Sequence, residues 1–497
     1  MIRYGPIFCV VLLLVSAFYF QRTKRVHMIH QISGGIFFIA FILMLFNFYY
    51  INTYGAYLYP SFLSQVLGFK VISTLSVLVI SVFYMTIAAI TWFSNYSLRK
   101  YIDPSKIPTY YSLMHIMNAA ITIVVFTDSF ITLYVAYVII IMAAYHMIQI
   151  KNKVAAPYEK LRFLTMNLFG LSLLFIGLSM MVFKTHAMDF ETLHVAMNAF
   201  QPDDANYYTL SMTLCIVGLG VNGVLFPFFA WMPDLFATTP APLSAQLSAV
   251  TIKISPIVMM KLVFSGYGIN LFNALHLNSV LIVLGIASML SGSIFAIHQQ
   301  DLKKMIAYST ISQLGYVYLA IGIGNEYGIR IALYQLLAHA VTKAAIYMSV
   351  GSMYEQIGTT EINQLKGVGK QLPITLGCFA LGALSMVGIP ILPGFITKWN
   401  LSLATLTSGS IIPLFVILIS AILNATYYVP IIINGFFGPH HIEMRHFEVT
   451  AKPFREVLPL VCLIGIMVLM GFFANSIFHF INAKELMAAV MTGGMHI

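Results

Sequence analysis

Long apolar stretches recur along the whole chain, and they constrain its fold more than any other feature. Of 497 residues, 60% are hydrophobic and 8% are charged, whereas a soluble domain carries about 25% charged residues. A helix needs about 20 apolar residues to cross a bilayer, and runs of that length follow one another between short polar connections. The sequence therefore predicts an all-α, polytopic membrane protein of about fourteen transmembrane helices in a lipid bilayer.

The predicted transmembrane segments divide between two halves of the chain. The first half contains 5–20, 29–50, 70–94, 107–127, 130–150, 163–183, 209–231 and 243–265. The second half contains 278–298, 305–324, 330–355, 374–402, 411–437 and 457–480.

Basic residues give the orientation of these segments. The formal net charge is +10, and Lys and Arg gather in the odd-numbered connections: Arg22, Lys24, Arg25, Arg99, Lys100, Lys106, Lys151, Lys153, Lys160, Arg162, Lys303, Lys304, Lys366, Lys370, Arg445, Lys452 and Arg455. Connections rich in Lys and Arg stay in the cytoplasm. We therefore expect a multi-pass protein of the cell inner (plasma) membrane with both termini outside the cytoplasm, and no nucleic-acid partner.

Every Asp and Glu falls in a connection or at a helix end. Four lysines, in contrast, fall inside predicted transmembrane segments: Lys253, Lys261, Lys343 and Lys398. A lysine at the bilayer centre costs roughly 2.5 to 3.5 kcal/mol, so it needs a partner, water or a function. Lys261 lies near a segment end, where its side chain is expected to reach the interface. Lys253 lies mid-segment beside Ser255 and Pro256, which favours a function.

His339 and Lys343 are separated by four residues, which places them on one helix face. With Gln335 and Thr342 they form a polar stripe in an apolar helix, and we interpret the pair as part of a proton path. His115 and His146 also lie in or near predicted helices. Each either extends that path or fills a structural position.

Glycine and proline interrupt one segment in each half. Gly388, Pro390, Pro393 and Gly394 precede Lys398, and Gly223 and Pro227 interrupt the segment at 209–231. Broken backbone at membrane depth is tolerated where it faces protein or water. Matching breaks in two halves indicate inverted repeats with functional groups near the midplane.

The sequence predicts no cofactor or metal in this chain. The four cysteines lie in apolar segments without paired spacing, which is typical of packing residues: Cys9, Cys215, Cys378 and Cys462. The stretch PHHIEMRH (439–446) is a weak candidate for zinc, since no second ligand cluster accompanies it. There is no dinucleotide fingerprint and no paired-cysteine motif for an iron–sulfur cluster.

Four stretches carry a resemblance to a known family: FPFFAWMPDLFATTPAPLSAQLSAVTIKI, HQQDLKKMIAYSTISQLGY, LLAHAVTKAAIYMSVGSM and SMVGIPILPGFITKW. With their surroundings they cover about residues 105–435. They resemble the antiporter-like membrane subunits shared by Mrp-type multisubunit Na+/H+ antiporters, energy-converting membrane-bound hydrogenases and respiratory NADH:quinone oxidoreductase (complex I).

The resemblance implies four parts: N-terminal helices 1–3 at 1–106, a first five-helix repeat at 107–265, an inverted second repeat at 278–437, and a loop with helix 14 at 438–497. It also implies a proton path. Lys253 matches the central lysine of the family, His339 and Lys343 match a His and Lys of the eleventh helix, and Lys398 matches the lysine beyond the second break.

Two positions depart from the family pattern. Val138 stands where the family usually has a glutamate, and Asn222 stands where it usually has a lysine. Joint loss avoids leaving one uncompensated buried charge. We expect little water in this half, with His115, His146 or Asn222 as possible auxiliary groups.

The main functional hypothesis is therefore a proton-translocating or proton-coupling subunit of a multisubunit cation/proton antiporter or redox-driven pump. Its partners are other membrane subunits and protons, with Na+ as a candidate counter-ion. Any redox chemistry would belong to partner subunits. The alternatives are a non-conducting structural subunit that has lost its N-terminal half-channel and, less favoured, a stand-alone secondary transporter.

Overall fold

The computed structural model describes residues 4–23, 26–55, 57–59, 67–98, 101–150, 157–198, 200–439 and 454–481. These residues form an almost wholly helical protein. Their one β-ladder is antiparallel and very short, pairing β1 (Tyr57–Leu58) with β2 (Val71–Ile72).

The helices follow the predicted segments closely. The first group is α1 (Gly5–Arg22), α2 (Val26–Tyr54), α3 (Thr74–Ser97), α4 (Ile107–Phe126), α5 (Phe130–Gln149), α6 (Pro157–Thr185), α7 (Phe190–Asn198), α8 (Ala205–Asn222), α9 (Met232–Thr238), α10 (Ala241–Ala249), α11 (Ile254–Met260) and α12 (Ile269–Ala274). The second group is α13 (Leu277–Ile297), α14 (Leu302–Gly322), α15 (Glu326–Ile357), α16 (Pro373–Val387), α17 (Pro393–Thr407), α18 (Ile411–Phe437), α19 (Phe454–Phe472) and α20 (Ala474–Phe480). Short 3₁₀ turns cover Pro104–Lys106, Pro202–Asp204, Phe228–Trp231, Thr251–Lys253, Ile362–Leu365 and Val368–Lys370, and a π-helix covers Lys261–Tyr267.

Ten helices of the described part are long and apolar enough to cross a membrane, and two bent pairs raise the number to twelve. The two other predicted segments are helical but more polar or shorter. Segment 209–231 forms α8 and the break after it, and segment 305–324 forms α14, which carries two lysines and Gln313. The all-α membrane fold is thus confirmed.

Both predicted breaks are present. The first separates Asn222 from the 3₁₀ turn Phe228–Trp231, and side chains from elsewhere bind its backbone groups. Trp231 Nε1 donates to the Val221 carbonyl at 3.0 Å, and Tyr318 Oη donates to the Gly223 carbonyl at 3.3 Å. The second break lies between α16 and α17, where Gly388 adopts a left-handed φ of +99°.

A third interruption was not predicted as a break. Segment 243–265 divides into α10, a 3₁₀ turn, α11 and a π-helix, because Pro256 lacks an N–H and its ring crowds the carbonyl four residues earlier. That carbonyl belongs to Ile252, next to Lys253. The loosening effect of Pro256 was expected from the sequence, but the position of the resulting break was not.

Lys261, which is expected to reach the interface near its segment end, extends its side chain to the end of a neighbouring membrane span. Its ammonium group donates to the Thr127 carbonyl at 2.8 Å and the Val124 carbonyl at 3.3 Å. These carbonyls lie at the C-terminal end of α4, where a helix leaves acceptors unsatisfied and favours a cation.

Asp128 lies next to this contact, in the connection between α4 and α5. Its backbone N–H donates to the Gly68 carbonyl at 2.7 Å. Nearby, Lys70 forms salt bridges with Asp189 at 3.1 Å and Glu191 at 2.9 Å. Burial raises the pKa of the Asp128 carboxyl to about 6, and the positive charges of Lys261 and Lys70 offset that rise only in part.

We predict that Asp128→Asn stabilises the protein at neutral pH. The folded-state pKa lies above the ordinary value of 3.8, so ionisation weakens the fold as pH rises from about 4 to about 6, and the penalty is complete above that. Thermal unfolding of the purified complex should give the variant a Tm about 2 °C or more higher at pH 7.5. The gain should vanish near pH 4, and the exposed Asp203→Asn serves as control. A gain of equal size at both pH values would contradict this account.

Candidate functional site

Lys253 lies at the break between α10 and α11, and its side chain is fully buried. Its Nζ donates to the Ser248 carbonyl at 2.5 Å. The break explains this contact, because a carbonyl at an interrupted helix needs a donor and none is available from lipid. Lysine and break are therefore one structural unit.

Lys343 is also fully buried, in the middle of α15. Its Nζ donates to the Ile306 carbonyl at 3.0 Å, to Ser309 Oγ, and to Tyr428 Oη at 3.4 Å. Ser309 and Tyr428 are themselves 2.7 Å apart. Hydroxyl groups both donate and accept, so this cluster can receive a proton from the lysine or return one.

Two hydroxyl groups and two backbone carbonyls lie between Lys253 and Lys343. Ser248 Oγ lies 3.3 Å from Thr310 Oγ1, and Thr310 donates to the Ile306 carbonyl at 3.0 Å. The same carbonyl accepts from Lys343. The first and second halves are therefore connected by polar contacts between two buried lysines.

His339 lies one turn before Lys343 on α15 and is fully buried. It is close enough to interact electrostatically with both Lys253 and Lys343. Within the described residues neither ring nitrogen has a hydrogen-bond partner. Buried polar atoms normally find partners, so this imidazole is placed to bind water or a transient proton.

Lys398 occupies the second break, with its side chain 7% exposed. Its Nζ donates to the Met386 carbonyl at 2.7 Å and the Val387 carbonyl at 2.6 Å, the last acceptors of α16. It also lies 5.3 Å from the ring centroid of Tyr316. Helix end and ring both favour a cation there.

Two amide groups connect Lys398 with the stripe on α15. Gln335 Nε2 donates to Gln313 Oε1 at 3.0 Å, and Gln313 Nε2 donates to the Met386 carbonyl at 3.2 Å. Asn424 Nδ2 reaches the same carbonyl at 3.4 Å. The Met386 carbonyl thus accepts from Lys398, Gln313 and Asn424.

The structure places three predicted residues along one polar chain, Lys253, Lys343 and Lys398, and His339 beside it on α15. It adds seven that were not predicted from the sequence: Ser248, Ser309, Thr310, Gln313, Asn424, Tyr427 and Tyr428. Tyr427 Oη donates to Asn424 Oδ1 at 2.6 Å. Their polarity within apolar segments was the available signal, but their partners lie far away in sequence.

The first half is different. Asn222 is buried at the first break, whereas Val138 is partly exposed on α5. Tyr137 rather than Val138 lies beside Asn222. The residues that replace the charged pair of the family therefore do not face each other across a common site.

His115 is a fully buried contact between three helices. Nδ1 lies 2.6 Å from Ser16 Oγ and Nε2 lies 2.7 Å from Ser33 Oγ. Ser16 Oγ donates its proton to the Leu13 carbonyl at 2.8 Å, so Nδ1 carries the imidazole proton and Nε2 accepts from Ser33. A neutral histidine with both nitrogens engaged ties α4 to α1 and α2.

His146 is exposed on α5, with Nδ1 2.7 Å from the Met142 carbonyl. The structure brings neither His146 nor His115 into contact with the polar chain. In the part of the protein that the structure describes, no group of three His, Cys, Asp or Glu residues could hold a metal ion. The stretch PHHIEMRH lies almost entirely outside the described residues.

We predict that His115→Leu lowers stability more than transport. The change removes the acceptor of the buried Ser33 hydroxyl, at a cost of about 1 to 3 kcal/mol, whereas Ser16 keeps its bond to the Leu13 carbonyl. Thermal unfolding should shift downward, whereas proton transport per assembled complex should stay within about twofold of wild type. Full stability together with lost transport would instead place His115 in the pathway.

Comparisons with known proteins find related membrane proteins. The family model described as "NADH:quinone oxidoreductase/Mrp antiporter, TM" matches residues 127–424. An NADH-quinone oxidoreductase subunit of Desulforudis audaxviator is 30% identical over 79% of this chain and 78% of its own length. A Na(+)/H(+) antiporter subunit of Alkalihalophilus pseudofirmus is 26% identical over 75% of this chain and 73% of its own length. One protein in the solved structure of the Mrp complex from Dietzia sp. superposes with a TM-score of 0.85 at 17% identity, covering 99% of this chain and 98% of that one.

Proposed function

The chain belongs to the NADH:quinone oxidoreductase/Mrp antiporter family of membrane proteins, and we propose that it is a proton-translocating, antiporter-like subunit of a multisubunit membrane complex. The observation that carries this proposal is the polar chain from Lys253 through Lys343 to Lys398, with His339 beside it. It crosses the boundary between the two halves and includes both the break at Lys253 and the second predicted break.

The charge of the polar chain supports proton exchange over a static role. Among the described salt bridges, none involves Lys253, Lys343 or Lys398. Several unpaired ammonium groups close together in a low-dielectric interior repel one another. Carbonyl contacts compensate them incompletely, so the stable states hold fewer protons than there are lysines, and a proton can move between them.

The contacts suggest the order of transfer. A proton on Lys253 passes through His339 and ordered water to Lys343, and then through ordered water held by the Gln335–Gln313 pair to Lys398. The Ser248 and Ile306 carbonyls that the first two lysines contact hold the ammonium groups in place but do not carry a proton. An amide holds water and orients it but is a poor proton carrier itself. A proton on one lysine disfavours a positive charge on the next lysine of the path. Net transfer in one direction therefore requires an event outside this chain that changes the protonation of one end of the path.

The outside event belongs to partner subunits. The relatives are named as subunits of an NADH-quinone oxidoreductase and a Na(+)/H(+) antiporter. We propose that this chain works among other membrane subunits, with Na+ as a candidate counter-ion, in the plasma membrane with both termini outside. The two repeats at 107–265 and 278–437 remain part of this proposal. The scaffold alternative gains less support, because the chain keeps Lys253 and the second half keeps His339, Lys343 and Lys398.

We predict that Lys343→Met and Lys398→Met each reduce proton transport at least about tenfold while the complex still assembles. Methionine keeps an apolar stem and removes the charge. The assembled complex in proteoliposomes would be energised and proton movement followed with a pH-sensitive dye. Lys370→Met, an exposed residue, is the matched control. Wild-type transport in both buried variants would refute the proposed pathway.

Lys253 tests the connection between the halves. Lys253→Met should lower transport substantially while leaving assembly unchanged, because the Ser248 carbonyl loses its donor but the stem still fills the site. Transport and subunit composition would be measured on the same preparation. If coupling is normal, protons enter the path at Lys343 and Lys253 has a structural role.

A further inference from the structure

The side-chain amide of Asn222 is buried without hydrogen-bond partners of normal geometry among the described residues. Its side chain is 3% exposed, and this is true of both Nδ2 and Oδ1. A carboxamide offers two N–H donors and a carbonyl oxygen that can accept two hydrogen bonds. An amide left in this state would destabilise the fold, so a partner outside the chain is indicated.

The amide lines a small cavity of about 20 Å³ at the first break. The other polar residues in its wall are Tyr137, Asn167 and Thr251, and the remaining lining is apolar or aromatic. A cavity needs about 10 to 15 Å³ of space open to the centre of a water molecule if it is to hold one water. The cavity is therefore large enough for one or at most two waters and too small for a file of waters.

The neighbouring hydrogen-bond donors already have acceptors. Trp231 Nε1 donates to the Val221 carbonyl at 3.0 Å, and Ser255 Oγ donates to the Leu219 carbonyl. The Tyr137 hydroxyl lies beside both Asn222 and Ser255. Tyr137 is thus the natural second ligand for a molecule bound at Asn222.

The charge of the cavity decides what that molecule is. None of its described lining residues is ionisable at neutral pH. A cation would lie there without a counter-charge, and an anion without a cationic partner. A neutral molecule with both donor and acceptor capacity fits, and water satisfies an amide without adding charge.

We propose that this cavity binds a single water molecule, held by the Asn222 carboxamide and the Tyr137 hydroxyl, and that the site is closed. The water occupies a neutral pocket whose lining does not include Lys253, because the Nζ of that lysine donates to the Ser248 carbonyl. This rests on the proposed function and deepens it: the first half holds its break with neutral groups, and proton movement is confined to the path from Lys253 onward.

Density of the purified wild-type complex tests occupancy directly. A high-resolution map should show one isolated peak within hydrogen-bond distance of Asn222. Asn222→Leu should abolish it, whereas Asn118→Leu, which alters another buried asparagine outside the cavity, should leave it. A dry cavity, or water continuous from Asn222 to Lys253 or to either surface, would overturn the proposal.

Thiol labelling tests closure without measuring transport. In a Cys462→Ser background, Asn222→Cys should resist a water-soluble thiol reagent. Asn400→Cys should react at least about tenfold faster, because Asn400 lines an open cavity of about 450 Å³ with Tyr327, Arg330 and His479. Equal labelling rates would show that the site is open. If Asn222→Cys fails to assemble, the density map of the wild-type complex still shows whether the water is present and isolated. The map and the labelling rates do not depend on proton transport, so they test this proposal even if the proposed function is wrong.

Discussion

Backbone carbonyls released at helix breaks are the constraint on which the rest of this structure depends. Inside a bilayer such a group has no water to bind, so the protein must supply a donor. At two breaks the donor is a lysine: Lys253 binds the Ser248 carbonyl, and Lys398 binds the carbonyls of Met386 and Val387. The buried ammonium groups and the irregular backbone account for each other, because each lowers the cost of burying the other.

The two predicted breaks meet this constraint by different chemistry. The second uses a titratable group, whose ability to donate changes with its protonation state. The first uses an indole, a serine and a tyrosine, which donate at every physiological pH. Loss of a proton would therefore alter hydrogen bonding at the second break and leave the first unchanged. Both halves contain a predicted helix break, but of these two breaks only the second has hydrogen bonding that depends on protonation.

Much of this was predictable from the sequence, because lipid imposes simple rules. Apolar length predicted the helices, glycine and proline predicted two breaks, and isolated lysines marked the residues of the proposed path. The rest depends on contacts between distant segments. Gln313 meets Gln335 and Met386, and Asn424 meets Met386 from another helix, pairings that no local pattern encodes. The carbonyls at the end of α4 that bind Lys261 are likewise distant in sequence, so no local pattern predicts this contact.

The Met386 carbonyl accepts from an ammonium and two amides, although a carbonyl oxygen has two lone pairs. Three donors must share it, so weakening one contact strengthens the others. This junction belongs to the main chain of an apolar residue, as does the Ile306 carbonyl. Side-chain exchange at 386 or 306 would leave the acceptor in place, and scanning mutagenesis would pass over it. Replacing the peptide bond by an ester, which weakens the carbonyl as an acceptor, is the chemical change that reaches it.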